Sequence, residues 1–217
     1  MSKTYKLRDV FLTLQGEGEF AGRAAVFCRF ALCNLWSGVD VDRHKGAGAC
    51  ALWCDTDFTG GVRYGLKALV AEVVKAWGER PYNRRFVVLT GGEPGLQVDN
   101  DLVFALQQVG FFVAIETNGT CDLPDLIDHV TVSPKASKRP LVTTTGNVLK
   151  LVYPQPDLDP AWYLQLQREA KLAFFRHYLQ PLDGPDKEAN TRACVAYCLE
   201  HPEWSLSLQT HKLLGIP

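Results

Sequence analysis

Four cysteines lie between positions 28 and 54, and thiols grouped in this way can bind a metal. Cys28, Cys33, Cys50 and Cys54 are spaced C-x4-C-x16-C-x3-C. A structural zinc ion takes four thiolates in a closed tetrahedron. A [4Fe–4S] cluster also takes thiolate ligands, and a cluster held by three thiolates keeps one iron open to a small ligand. The spacing alone leaves zinc, a cluster with three thiolates, and no metal as open interpretations.

Strand periodicity separates Cys28 from the other three thiols. Residues 26–30 are predicted to form a β-strand, in which alternate side chains point to opposite faces. Cys28 then shares a face with Val26 and Phe30, while Arg29 points to the other face. We therefore expect Cys28 in the core, Arg29 at the site of chemistry, and three candidate ligands in Cys33, Cys50 and Cys54. Cys194 and Cys198 lie one helical turn apart and could share a metal, but we expect both to be buried as small hydrophobic residues.

Polar motifs follow four of the apolar segments that we predict as strands. They are Thr90–Pro94, Glu116–Gly119, Ser133–Lys135 and Gln180–Pro181. The strands alternate with helices or long connections, which favours an α/β fold with right-handed crossovers and a mostly parallel sheet. In such sheets, ligands bind beyond the carboxyl ends of the strands. The four motifs are therefore predicted to face one site.

Composition restricts the class of protein. The 217 residues include 47% hydrophobic and 22% charged residues, and 23 basic against 24 acidic side chains give a net charge of −1. This balance provides no basic surface for a nucleic acid, and no stretch reaches the ~20 apolar residues of a membrane span. Since the N-terminus also lacks the apolar core of a signal peptide, we expect a cytoplasmic protein. We expect one domain over 1–217, with a long loop at about 33–61 that binds the cluster.

Several motifs in a fixed order resemble one enzyme family. They are Leu14–Gly18 (LQGEG), Cys33–Gly38 (CNLWSG), Cys54–Phe58 (CDTDF) and Leu208–Pro217 (LQTHKLLGIP). The chain resembles the 7-carboxy-7-deazaguanine synthases, which belong to the radical S-adenosylmethionine (SAM) enzymes. It departs from their cysteine spacing, because its gaps of sixteen and three residues are both longer. Counted back from Cys54, the usual position of the middle ligand holds Ala51, with Cys50 one residue earlier.

The resemblance implies a fold, a reaction and a set of partners. The fold would be an abbreviated partial β/α barrel of the radical SAM type. The reaction would convert 6-carboxy-5,6,7,8-tetrahydropterin to 7-carboxy-7-deazaguanine with loss of ammonia, in the biosynthesis of queuosine and related deazapurines. The cofactors would be a [4Fe–4S] cluster on Cys33, Cys50 and Cys54, SAM, and Mg²⁺ at Thr56. A homodimer and a reducing electron donor such as a flavodoxin-like protein are also implied.

The resemblance also assigns roles to residues of the motifs. Glu93 would accept from the SAM ammonium, and Arg29 would pair with the substrate carboxylate. The plainer interpretation of Arg29 is an internal salt bridge, with Glu17 as a candidate partner. The SAM contacts would be Thr90, Gly92, Glu93, Glu116, Asn118, Ser133, Lys135 and Gln180. The substrate contacts would be Gln15, Glu17, Arg29, His211 and Pro217, the last through a terminal carboxylate.

Two other functions remain compatible with the residues. A glycyl-radical activating enzyme would share the GGEP turn, but it normally has the tighter spacing C-x3-C-x2-C. A zinc-stabilised binding module would use all four early cysteines. An oxygen-free preparation that is brown, with absorption near 400 nm, would indicate a cluster, whereas a colourless protein with bound zinc would indicate the module.

Overall fold

The computed structural model describes residues 3–42, 50 and 54–217, and its central feature is an open sheet. In the described residues the sheet has nine strands in the order β3-β1-β2-β4-β5-β6-β7-β8-β9. The strands are β1 (Thr4–Leu14), β2 (Ala24–Phe30), β3 (Val62–Gly65), β4 (Phe86–Gly91), β5 (Phe112–Thr117), β6 (His129–Val132), β7 (Thr145–Tyr153), β8 (Ala173–Pro181) and β9 (Ser205–Leu206). The helices are α1 (Leu66–Trp77), α2 (Asn100–Gln108), α3 (Pro160–Arg168), α4 (Lys187–Glu200) and α5 (Thr210–Leu214).

Most neighbouring strands are parallel. Among the described strands, every pairing from β2 through β4 to β9 is parallel, and only β1 pairs antiparallel, with β2 and with β3. The prediction of an α/β fold with a mostly parallel sheet is confirmed, and these nine strands do not close into a full barrel. Within the described residues, no helix combines the length and apolar character needed to cross a membrane.

The core forms where the helices cover the sheet. On α1, the buried residues Leu69, Val73 and Trp77 recur every four positions, so they share one helix face. They pack with strand residues of β1, β2, β4 and β5 in one apolar cluster. Each such side chain contributes about 1.5–3 kcal/mol by leaving water. A second cluster joins β7, β8, α3 and α4.

Two helices begin at other residues than the sequence predicts, one because of a strand pairing and one because of an N-cap. The apolar spacing predicts a helix over residues 64–77, but α1 begins at Leu66, because residues 62–65 pair with β1 as a strand. The sequence also predicts a helix over residues 102–109. It begins two residues earlier, at Asn100, because the side chain of Asp99 accepts from the Leu102 N–H at 3.0 Å as an N-cap. Sequence patterns missed β1, β3 and α5.

The predicted burial of Cys28 and Cys194 is confirmed, whereas Cys198 is only partly buried. Cys28 is fully buried on β2 with Val26 and Phe30. Cys194 is fully buried on α4, and Cys198 packs against the same cluster. Cys28 is therefore part of the core rather than of the polar site described next.

Candidate active site

A cavity of about 310 Å³ lies at the carboxyl ends of the parallel strands. Thr90, Thr117 and Gln180 line it from the last residues of β4, β5 and β8, and Ser133 lines it directly after β6. The loop after β1 and the C-terminal segment complete the wall. The volume is within the roughly 300–1,000 Å³ of small-molecule sites.

Most of the predicted site residues line this one cavity. They are Gln15, Glu17, Arg29, Cys33, Cys50, Cys54, Thr56, Thr90, Gly92, Glu116, Asn118, Ser133, Lys135, Gln180, His211 and Pro217. Their proximity agrees with the rule that parallel strands deliver side chains to a shared edge. The individual binding roles stay predictions.

Glu93 is the exception, since it is fully buried and does not line the cavity. One carboxylate oxygen accepts from the Gly95 N–H at 2.8 Å and from the Thr117 hydroxyl at 2.7 Å. The other accepts from the Asn118 N–H at 2.7 Å. Burial raises the pKa of Glu93, and these donors oppose that shift. In this arrangement Glu93 fixes the turn that carries Asn118.

A buried lysine that the sequence analysis missed connects two of the predicted residues. The Lys150 ammonium lies 2.5 Å from a carboxylate oxygen of Glu17 and 2.5 Å from one of Glu116. Burial favours neutral forms, but the opposite charges outweigh it, so the pKa of Glu17 is lowered and that of Lys150 is raised. Lys150 therefore bridges the two carboxylates of Glu17 and Glu116 within the site.

The sequence did contain a signal for Lys150. It stands at the centre of the apolar segment 148–152, where a charge is costly unless it is paired. Its partners could not be found from the pattern, because Glu17 and Glu116 belong to distant segments. Gln15 joins the same group, since its amide donates to Glu116 at 2.8 Å.

Arg29 points into the cavity, as strand alternation predicted. Its guanidinium pairs with Asp9 at 3.2 Å and lies 5.1 Å from the centre of the Phe11 ring. Glu17, the candidate partner from the sequence, pairs with Lys150 instead, so that suggestion was wrong. Asp9 is close because β1 runs antiparallel to β2 with Asp9 opposite Arg29, in a strand that sequence analysis missed.

The three candidate ligand thiols lie on the cavity wall. Burial raises the pKa of Cys33, and negative charge at Glu93 and Cys54 adds to that shift. Burial also raises the pKa of Cys54, where negative charge at Asp55 and Cys50 adds to the shift. Cys50 is buried against Leu35, whose carbonyl accepts from the Cys50 N–H at 3.1 Å. Ala51, the alternative position of the middle ligand, lies outside the described residues. Among the residues that are described, no three His, Cys, Asp or Glu side chains converge closely enough to hold a single metal ion.

The GGEP turn (Gly91–Pro94) packs against the backbone that leads into Cys33. The Gly92 N–H donates to the Phe30 carbonyl at 3.0 Å, and the Glu93 N–H donates to the Leu32 carbonyl at 2.8 Å. A Cβ on Gly92 would lie 2.0 Å from the Leu32 carbonyl oxygen and 3.2 Å from the Cys33 Cβ. Glycine is therefore required because the turn touches the backbone before Cys33.

Two hydrogen-bonded polar pairs lie at the carboxyl ends of β6 and β8. Lys135 donates to the Ser133 carbonyl at 2.7 Å and to its hydroxyl at 2.6 Å. Burial and the nearby Lys150 lower the pKa of Lys135. Gln180 accepts from the Ser207 hydroxyl at 3.0 Å. These hydrogen bonds fix the direction in which each side chain faces the cavity.

The C-terminal segment closes the cavity next to the loop after β1. The Thr210 N–H donates to the Gly16 carbonyl at 2.9 Å, and a Cβ on Gly16 would lie 2.1 Å from Nδ1 of His211. Burial lowers the pKa of His211, although Glu17 opposes the shift. The Thr13 hydroxyl donates to a main-chain oxygen of Pro217 at 2.8 Å.

Comparison with known proteins identifies the family. No family model matches the chain. The 7-carboxy-7-deazaguanine synthase of Caulobacter vibrioides is 51% identical over 99% of this chain and 100% of its own length. That of Bordetella pertussis is 52% identical over 98% of this chain and 99% of its own. The chain belongs to the 7-carboxy-7-deazaguanine synthase family. The crystal structure of QueE from Escherichia coli has a TM-score of 0.65 and 26% identity, and the match covers 94% of this chain and 93% of that one.

Membership of the 7-carboxy-7-deazaguanine synthases confirms the resemblance seen in the sequence. The chain is a radical SAM lyase of deazapurine biosynthesis, with the partial barrel of that class. The family assignment decides against the activating enzyme and the zinc module. The class implies a [4Fe–4S] cluster and SAM.

The thiols that line the cavity fit the [4Fe–4S] cluster that a 7-carboxy-7-deazaguanine synthase requires. Three thiols line one wall, and the fourth early cysteine is held in the core. A cubane takes its thiolates at different irons, so its ligands need not converge on one point as they do around zinc. Cys33, Cys50 and Cys54 are therefore suitable for a cluster with one open iron.

Proposed function

We propose that the chain converts 6-carboxy-5,6,7,8-tetrahydropterin to 7-carboxy-7-deazaguanine with loss of ammonia. The observation that carries the proposal is a single cavity lined both by three thiols and by the set Gln15, Glu17 and Arg29. The first set suits a cluster and the second suits a pterin that bears a carboxylate. The family assignment supports the same reaction.

The cluster would be held by Cys33, Cys50 and Cys54, within a single domain over 1–217 whose cluster-binding loop spans about 33–61. SAM would lie against Thr90, Gly92, Glu116, Asn118, Ser133, Lys135 and Gln180. When both are bound, they would supply one-electron reductive cleavage of SAM and thereby the radical chemistry of the reaction. The protein's part is to orient the reactants and to exclude water.

Glu93 contributes to this site indirectly. Its three hydrogen bonds hold the Thr117 hydroxyl and the backbone of Asn118 in place. In this proposal Glu93 positions the SAM-binding turn, in place of the direct ammonium contact expected from the sequence.

The substrate would be recognised by charge and by donor–acceptor pattern. Glu17 and Gln15 offer a carboxylate and an amide to the pterin edge, which presents donors and acceptors together. Arg29 would form a two-point pair with the substrate carboxylate. Because Asp9 already pairs with Arg29 at 3.2 Å, substrate binding would have to share or replace that contact. His211 and Pro217 would close the pocket.

Mg²⁺ would bind next to the cluster loop. Thr56 lines the cavity with Asp55 and Asp57 on either side. Mg²⁺ prefers oxygen ligands and keeps several waters. The Thr56 hydroxyl and the substrate carboxylate would be direct ligands, with the two aspartates acting through water. We also propose, from the family resemblance, a cytoplasmic homodimer that receives electrons from a flavodoxin-like protein.

The test is an oxygen-free assay with reconstituted iron and sulfide. The wild-type chain should absorb near 400 nm and convert 6-carboxytetrahydropterin to 7-carboxy-7-deazaguanine, faster with Mg²⁺ than without. Cys33→Ala, Cys50→Ala and Cys54→Ala should each lose the absorption and the product. The matched control is Cys28→Ala, which should keep both because Cys28 is buried in the core. A wild-type preparation with a full cluster and no product would refute the proposed reaction.

A further inference from the structure

The side chain that follows the last candidate ligand is held by the C-terminal segment. Asp55 is ion-paired with Lys212. It also accepts from the Gln209 amide at 3.0 Å. Because Asp55 adjoins both Cys54 and Thr56, a contact that fixes Asp55 also restricts the backbone on either side of it.

The same two C-terminal side chains contact two further segments. The Gln209 amide donates to Glu17 at 2.9 Å, in the loop after β1. The Lys212 ammonium donates to Asp183 at 2.7 Å, in the connection between β8 and α4. The Lys212 ammonium also donates to the side-chain amide oxygen of Gln209 at 2.9 Å, which joins the two side chains. Three segments far apart in sequence thus meet at Gln209 and Lys212.

This network differs from an ordinary surface ion pair. An isolated exposed pair contributes little, because holding two flexible side chains costs entropy and solvent screens the charges. Here the Lys212 and Asp55 side chains are only 25% and 31% exposed. An ammonium has three donors, and Lys212 has acceptors in Asp55, Asp183 and Gln209. It therefore also neutralises two carboxylates that would otherwise repel each other.

We propose that Lys212 is a positioning residue that, with Gln209, sets the Cys54–Thr56 segment relative to the Glu17 loop. The ligand thiol and the predicted substrate loop would then be aligned by the protein before any cofactor binds. The meaning of this alignment for catalysis rests on the proposed function, whereas the alignment itself is a property of the apoprotein. It can therefore be tested without turnover.

The test compares Lys212→Met with Lys187→Met in the full chain, freed of metal by chelation. Lys187 is the matched control because it also approaches Asp183, at 3.5 Å, but from α4. The measurement is the rate at which iodoacetamide alkylates each cysteine, resolved by peptide mass spectrometry, with the melting temperature recorded alongside. Lys212→Met should speed alkylation of Cys54 about fivefold, the factor that corresponds to loss of about 1 kcal/mol. Cys33 should react at the wild-type rate, and Lys187→Met should change neither thiol.

A double-mutant cycle provides the second readout. Asp55→Asn should also speed the alkylation of Cys54. The double variant Asp55→Asn with Lys212→Met should react little faster than either single variant, because both substitutions remove the same ion pair. Amide exchange of residues 54–58 should rise in the same variants. The proposal is overturned if Cys54 reacts alike in Lys212→Met and wild type, or if all cysteines speed up together. Absence of product from wild-type holoenzyme would refute the proposed reaction while leaving the Cys54 comparison valid.

Discussion

Replacing Lys150 by methionine should test the charged group at the centre of the cavity. The ammonium lies 2.5 Å from both Glu17 and Glu116, and only 4% of the Lys150 side chain is exposed. Methionine keeps much of the side-chain volume and removes the charge. The two carboxylates would then remain near each other, mostly buried, without their shared cation.

The expected cost follows from burial. Removing one partner of a buried ion pair destabilises a protein by about 3–5 kcal/mol, because the remaining charge stays unpaired. The matched control is Lys171→Met, which removes a lysine 2.6 Å from Glu169 with 64% of the lysine side chain exposed. An exposed pair of this kind contributes about 0–1 kcal/mol. The two variants should therefore differ severalfold in their effect on the free energy of unfolding.

The effect should also depend on pH, with a sign set by Glu17. In the wild type the pKa of Glu17 is lowered, so its contribution is present above the unfolded value near 4.5 and is lost as pH falls through the folded value. Without Lys150, burial alone would raise that pKa, and stability would be lost as pH rises through the new folded value. The stability difference between Lys150→Met and wild type should therefore shrink between pH 7 and pH 5.

The assay is urea unfolding of the apoprotein at pH 5, 6 and 7, followed by circular dichroism. Glu17→Gln combined with Lys150→Met should recover part of the lost stability, since one unpaired charge is then neutral. A loss below about 1 kcal/mol at pH 7, equal to that of Lys171→Met, would refute the reasoning. So would a loss that does not change with pH.

Two further predictions concern close contacts around the cavity. Gly92→Ala should destabilise the apoprotein by about 1–3 kcal/mol in a urea titration, because the new Cβ would lie 2.0 Å from the Leu32 carbonyl oxygen. The control is Gly65→Ala, which should unfold like the wild type because its Cβ would meet nothing within 4 Å. Equal stabilities of the two variants would contradict the predicted clash. Residues appended after Pro217, which accepts from Thr13 at 2.8 Å, should reduce turnover of the pterin about tenfold, equivalent to ~1.4 kcal/mol. The same residues added before Met1 are the control, and unchanged turnover of the C-terminal extension would remove Pro217 from the proposed pocket.

Local periodicity predicted much of the fold and placed several side chains correctly. The period of two along β2 assigned Cys28 to the core and Arg29 to the cavity, and both positions are observed. The polar motifs that follow β4, β5, β6 and β8 meet at one edge. Such inferences succeed because side-chain alternation and the shared edge of parallel strands are properties of every such sheet. The apolar spacing over residues 64–77 likewise predicted most of α1.

Elements whose ends depend on distant partners were missed or misplaced. The apolar spacing assigns the last two residues of β3 to a helix, because the strand character of this segment comes from pairing with β1. β1 itself was not predicted, so the pairing of Asp9 with Arg29 was not predicted either. Glu93 was expected to face SAM, but three donors from the turns around it hold it in the interior.

The sequence by itself determined the family motifs, the alternation of strands and helices, and which residue types gather at the carboxyl edge of the sheet. Only the tertiary structure decided which of these residues are partners, as for Lys150 with Glu17 and Lys212 with Asp55. The physical reason is range. Propensity and periodicity act over a few neighbouring residues, whereas a buried charge is stabilised by whichever opposite charge the chain crossovers bring within hydrogen-bonding distance.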